Sequence, residues 1–205
     1  RNELITSPTC SAKPDLKSAP NTLAAGRHVV CEKPLAVTSA ESAELVTLAA
    51  QTDRIAAVNF NIRFYPVNQH LAAQVAAGEL GEIRLVTGHY FQDWLLHETD
   101  WNWRLVPEEG GGLRAVGDIG SHWCDMTEHL TGLRITELCA DLQTFHKVRK
   151  KPAGEVESFG KSTGETVDVP ITSEPAVAVP VEEAAVLLAI KSSTNCIRFV
   201  LRVVE

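Results

Sequence analysis

Asp118 and His122 stand four residues apart in Gly117-Asp118-Ile119-Gly120-Ser121-His122-Trp123-Cys124-Asp125. On a helical turn that spacing brings both side chains to one face. An imidazole steadied by a carboxylate takes up a proton near neutral pH, so the pair reads as a catalytic base with its orienting partner. An ordinary surface ion pair has the same spacing. Gly117 and Gly120 permit a tight turn, and Ser121 is the expected N-cap of a helix running towards Leu130 and stopped by Gly132. Asp118, His122, Asp125 and His129 repeat at helical spacing, which raises zinc, or a metal-dependent hydrolase built on His122 and Asp125, as a further reading. Three turns separate Asp118 from His129, too far for one ion, and no cysteine pair supports them, so no metal is expected.

A second chemical stretch lies upstream. His28-Val29-Val30-Cys31 is a short apolar run suited to a buried parallel strand, and Glu32-Lys33-Pro34 follows at its carboxyl end. Ligands of open α/β sheets bind beyond that end of the strands. A lysine there donates to a substrate oxygen and stabilises negative charge, whereas a solvated Glu-Lys pair in a loop is the plainer reading. A third stretch, 93–112, is dense in aromatic and charged residues, with Trp94, Trp101, Trp103 and Arg104, and ends in Gly110-Gly111-Gly112. Its length fits a binding loop; a hydrophobic cluster that pins the loop also accounts for the tryptophans.

The elements that must position these residues follow from pattern. Pro14 and Pro20 break the chain before a last helical turn at Asn21–Ala25, stopped by Gly26. Thr38-Ser39-Ala40-Glu41 has capping-box spacing and opens a helix through Gln51. Ile55–Phe60 reads as the next strand, and a helix after Pro66 runs to Ala77, stopped by Gly78 and Gly81. Alternating strand and helix predicts a mainly parallel sheet. Beyond Gly81, long strands are predicted at Glu82–Phe91 and Arg134–Lys147, with Lys147–Lys151 as a solvated basic strand end. Gly154–Pro180 reads as a long excursion, and Ala185–Ile190 and Cys196–Val204 as two antiparallel strands joined through Ser192–Asn195.

The chain has 205 residues, 44% hydrophobic and 22% charged, which is ordinary globular composition. A formal net charge of −7 argues against nucleic acid as partner. Five cysteines without paired spacing fit free thiols in a reducing compartment. No apolar run approaches membrane-spanning length, and Arg1–Ser11 lacks the apolar centre of a signal peptide, so a cytoplasmic protein without membrane association is expected.

Taken together, Val29-Val30-Cys31-Glu32-Lys33-Pro34-Leu35-Ala36, then Gly111-Gly112 and Gly117-Asp118-Ile119-Gly120-Ser121-His122, resemble the Gfo/Idh/MocA family of NAD(P)-dependent oxidoreductases. Ala25–His28, Asn61–Pro66 and Gly78–Ile83 agree, and the resemblance runs from about Ala24 to Lys151. It implies an α/β chain: the C-terminal part of a Rossmann parallel sheet over 1–62, followed over 63–205 by an α+β domain with a large, mostly antiparallel open sheet. That second domain is expected to carry the substrate face and a homo-oligomer interface. The implied reaction is oxidation of a secondary hydroxyl of a sugar or cyclic polyol with NAD or NADP, with His122 as base, Lys33 reaching nicotinamide and substrate, and Asp118 steadying the site. Glu32, Lys33, Pro34, Arg63, Trp103 and Arg104 are the implied cofactor-facing residues. No G-x-G-x-x-G occurs in the sequence, and Thr6-Ser7-Pro8-Thr9 only approximates the family's Thr-Pro-Asn turn. The chain is therefore expected to be the middle of such an enzyme, with a non-catalytic remnant or sugar-sensing regulator as the alternative.

Overall fold

The computed structural model describes residues 4–6, 18–88, 90–92, 95–139, 144, 146–154, 164–172, 195–196 and 200–204. Its first half contains β1 (Leu4–Thr6), α1 (Ser18–Ala24), β2 (His28–Cys31), α2 (Ser39–Ala50), β3 (Ala56–Val58) and α3 (Pro66–Ala76). Then follow β4 (Phe91–Gln92), α4 (Pro107–Gly110), α5 (Ser121–Thr131), β5 (Arg134–Cys139), β6 (Val148–Pro152), β7 (Thr166–Pro170), β8 (Asn195–Cys196) and β9 (Val200–Val204).

The first three strands form a parallel sheet in the order β1-β2-β3, with Val29 opposite both Ile5 and Ala56. Val29 is buried with Ala19 and Leu23 of α1, and Cys31, Leu45, Leu48 and Ala49 pack against them. This is the strand–helix alternation expected from the sequence. α1 starts earlier than predicted, at Ser18, because Pro20 falls in its first turn, where a missing N–H forfeits no helical bond. Gly26, at φ +72°, closes the turn after α1. The capping box of α2 forms in full: Glu41 N–H donates to Thr38 Oγ1, and Thr38 N–H to the Glu41 carboxylate.

The second half departs further from the pattern reading. Residues 82–88, predicted as most of a long strand, are unpaired among the described residues, and only β4 joins a ladder, antiparallel to β8. An apolar run needs a partner edge and a covered face to become a strand, and Leu85 is exposed. β5 pairs antiparallel with β9; of the rest of the strand predicted to Lys147, residues 140–143 and 145 lie outside the described residues, and 144 and 146 are in no strand. The expected partner of β9, 185–190, and Trp94 lie outside the described residues. Within the expected excursion 154–180, Thr166–Pro170 is a strand that pairs with β6. No helix among the described residues is long and apolar enough to cross a membrane.

The basic run 147–151 is not merely solvated. Arg149 of β6 is 3% exposed and donates to the carbonyls of Leu95 (2.9 Å), His97 (2.6 Å) and Asp100 (3.3 Å). A guanidinium has the fixed fork of donors that such a convergent set of carbonyls needs. Beside it Leu95, Leu105 and Ile171 form a buried cluster with Trp101 against it, so the start of the aromatic loop is packed as well as hydrogen-bonded. Arg149→Ala strands these carbonyls and should lower stability by about 2–3 kcal/mol in urea unfolding, with Arg149→Lys recovering only part. A loss below about 0.5 kcal/mol, the scale of an ordinary surface change, would mean that the apolar cluster alone anchors the loop.

Candidate active site

Lys33 stands at the carboxyl end of β2 and Asp118 in the turn that enters α5, 85 residues later. The Lys33 ammonium donates to the Asp118 backbone oxygen at 2.6 Å and to its Oδ1 at 2.7 Å. Both side chains are nearly buried, at 14% and 12% exposure. The two motifs that sequence alone held apart thus meet in one charge-assisted contact. Glu32 faces the neighbouring strand, where Asn59 Nδ2 donates to its Oε1 at 2.6 Å, tying the ends of β2 and β3 together. Pro34 follows Lys33 through a cis peptide.

Val116–Gly120 is a π-helical turn, in which the Ser121 N–H reaches back to the Val116 oxygen. That wider turn changes the predicted geometry in two ways. Ser121 is not an N-cap: it has helical backbone angles, and its hydroxyl donates to Gly117 O at 2.8 Å. Asp118 and His122 also fall out of the α-helical i, i+4 overlay. The Asp118 carboxylate turns to two cations, Lys33 Nζ and Arg104 Nε, the latter 3.0 Å from Oδ2. The arginine contact is close in distance but off the hydrogen-bond line. No hydrogen bond joins Asp118 to His122, so the expected orienting bond is replaced by a shared electrostatic neighbourhood.

Aromatic edges orient His122 instead. Its ring lies edge-to-face with Phe60 at 5.7 Å and with Tyr90 at 6.0 Å, it is 9% exposed, and its Nδ1 is buried without a hydrogen-bond partner. Burial, and next the charge of Lys33, push its pKa below the ordinary 6.5, against the opposing pull of Asp118, Asp125 and Glu32. The imidazole is therefore neutral at neutral pH and ready to accept a proton. With the folded pKa depressed, the unfolded chain binds the extra proton, so this group's contribution to stability falls as pH drops from about 6.5 towards the folded value.

Trp103 and Arg104 belong to a 3-10 turn, Trp103–Leu105, capped by Asn102 Oδ1 accepting from Arg104 N–H at 2.9 Å. The Arg104 guanidinium lies 4.5 Å from the centre of the Trp103 ring. Gly110 has a steric task here: a Cβ on it would come within 2.6 Å of the Arg104 backbone oxygen. At that position the glycine run serves close packing. Arg63 is not brought to Lys33; it pairs with Asp125 of α5. His129 meets Gln69, and no three metal-binding side chains converge among the described residues. The place of Phe60 and Tyr90 beside His122 and the pairing of Arg63 with Asp125 are not part of the sequence reading, whose only available signal is an aromatic residue ending the strand at Phe60.

The donors and acceptors fit the nicotinamide end of a dinucleotide and a hydroxyl substrate. Lys33 has three N–H groups and spends two on Asp118, and the buried His122 Nδ1 has no acceptor or donor of its own. Lys33→Met removes the cation whose charge lowers the His122 pKa, so the His122 midpoint in an NMR titration should move up towards 6.5. An unmoved midpoint would contradict this placement of Lys33.

Residues 4–60 match the model of the oxidoreductase family with an NAD-binding Rossmann fold, and residues 68–188 match the GFO/IDH/MocA C-terminal domain. Levoglucosan dehydrogenase of Pseudarthrobacter phenanthrenivorans is 31% identical over 141 residues, covering 68% of this chain and 36% of that protein. An oxidoreductase domain protein from Kribbella flavida superposes with a TM-score of 0.70 at 32% identity, over 83% of this chain and 42% of the other. An inositol dehydrogenase homologue from Azotobacter vinelandii, complexed with NAD+, gives a TM-score of 0.63 at 29% identity, over 70% and 38%. The chain spans about a third of the length of the first curated relatives it matches, at 36%, 30% and 33%.

Proposed function

The chain belongs to the GFO/IDH/MocA family of NAD-binding oxidoreductases, and from that premise we propose that it carries the proton-transfer centre of a dehydrogenase acting on a secondary hydroxyl of a sugar or cyclic polyol. One observation carries this reading: the Lys33–Asp118 contact, made across 85 residues, beside a buried imidazole with an unpartnered nitrogen. Bound NAD or NADP supplies the hydride acceptor. Lys33 directs its remaining N–H to the substrate oxygen and favours the alkoxide. His122, held neutral, accepts the hydroxyl proton. Asp118 fixes Lys33 and is itself fixed by Arg104, while Glu32 and Pro34 shape the turn that presents Lys33. Trp103 and Arg104 complete the cofactor-facing wall. The relatives named for levoglucosan and inositol support a sugar or polyol as substrate class.

In this proposal residues 1–62 form the nucleotide-binding part and 63–205 the substrate part, a division supported by family matches that end at 60 and begin at 68. Among the described residues β5 and β9 form a two-stranded sheet, and such open edges favour self-association through the C-terminal sheet. Free Cys31 and Cys124 suit a reducing, cytoplasmic setting.

A second reading is a sugar-sensing or non-catalytic member of the fold. Calorimetry with NAD and NADP separates the two, comparing this chain with a version preceded by a Rossmann first strand and glycine loop. Binding restored by that addition is expected, and binding in neither would favour the sensor. In the version that binds, Lys33→Ala and His122→Ala should each lower NAD(P)-linked oxidation of a sugar and polyol panel by about 10²–10⁴-fold. Near-normal turnover in both would refute the assignment.

A further inference from the structure

The side chains that sequence alone offers as a metal row meet separate partners on one neighbouring segment. His122, Asp125 and His129 fall at i, i+3 and i+7 of α5, a single stripe of the helix. Phe60 meets the His122 ring edge-to-face. Arg63 closes a two-bonded pair on Asp125, Nε to Oδ2 at 2.7 Å and Nη2 to Oδ1. Gln69 Nε2 lies 3.2 Å from His129 Nε2. Residues 60–69 therefore grip α5 at three points along its length. The turn that presents Arg63 is itself held from α3: Gln69 Nε2 donates to Arg63 O at 2.6 Å, and Asn68 Nδ2 to Ile62 O at 2.8 Å.

A point charge at the place of Arg63 would attract Asp125 but leave α5 free to turn. A planar guanidinium bonded through two nitrogens to both carboxylate oxygens fixes rotation as well as distance. Asp125 is 10% exposed, so the pair is largely shielded on the helix side. We infer that Arg63 is a positioning residue for His122: through Asp125 it sets the rotation of α5 and holds the imidazole in its slot between Phe60 and Tyr90. This rests on the reading of His122 as the proton acceptor. It gives Arg63 a role apart from the cofactor wall where the family resemblance would put it.

The pair also sets the charge that the imidazole meets. The charges that act on His122 are those of Lys33 and Glu32 from the end of β2, Asp118 from the π-helical turn and Asp125 from α5 itself, with Phe60 and Tyr90 closing the slot. Arg63 neutralises the carboxylate that lies on the imidazole's own helix. Removing the arginine leaves that negative charge uncompensated beside His122.

The test is an NMR titration of the seven histidines of this chain, with the His122 signal assigned by its loss in His122→Gln. Arg63→Lys keeps the positive charge and gives up the two-nitrogen fork, so it reads rotation apart from charge: a loosened α5 lets water reach the imidazole, and the midpoint should rise by about half a pH unit. Arg63→Met, which leaves Asp125 uncompensated as well, should raise it further. A midpoint that stays in place in Arg63→Lys overturns the inference, since charge alone then accounts for the pair. Should Arg63→Met fail to fold, Arg63→Lys decides. Turnover that survives His122→Ala would sink the dehydrogenase reading while leaving this coupling in place, so the two failures are distinguishable.

Discussion

Everything at the centre of this molecule depends on keeping one ammonium group next to one carboxylate away from water. Lys33 and Asp118 are each close to nine-tenths buried, and removing the carboxylate would leave the ammonium as an uncompensated buried charge. The contact joins the carboxyl edge of a parallel sheet to the entry of α5, and so decides how the two halves of the chain meet. Arg104 adds a second cation to the same carboxylate, and the 3-10 turn that carries it is packed on Gly110 with no room for a side chain. The ionic centre thus imposes a steric requirement on the loop that carries Arg104.

A positive centre of this kind depresses the affinity of a nearby base for protons. His122 lies in that field and is desolvated by its two aromatic neighbours, and both effects keep it neutral. The acidic groups around it pull the other way, so their pairing matters as much as their presence. Glu32 is engaged by Asn59, Asp118 by Lys33 and Arg104, and Asp125 by Arg63. The site is a neutral base set among carboxylates that already have partners.

The parts legible in the sequence are those governed by local chemistry. The capping box at Thr38, the apolar strand ending in Glu32-Lys33-Pro34 and the stop glycines each express a rule that acts within a few residues. The nearness of Lys33 to Asp118 was reached by resemblance, since no local rule spans 85 residues. What the pattern misjudged are places where tertiary partners decide. A one-residue widening of the helix at Val116–Gly120 turns Asp118 from His122 to the cations. A basic run that looks solvated contributes a buried arginine because three carbonyls converge on it. Apolar residues at 82–88 find no neighbouring strand among the described residues, and strand periodicity cannot supply one.

The Arg149 anchor has a consequence for how the chain reaches this state. The carbonyls it gathers belong to Leu95, His97 and Asp100, which lie 54, 52 and 49 residues before it. During synthesis the aromatic loop therefore leaves the ribosome well before the guanidinium that will order it. At about 5–20 residues per second that interval lasts seconds, long compared with loop closure or hairpin formation. Trp101 and its apolar neighbours spend this time without the hairpin that covers them, and the turn bearing Arg104 waits on the same event. Lys33 and Asp118 can be within reach of each other earlier, so the ionic centre and the loop that lines it mature in sequence rather than together.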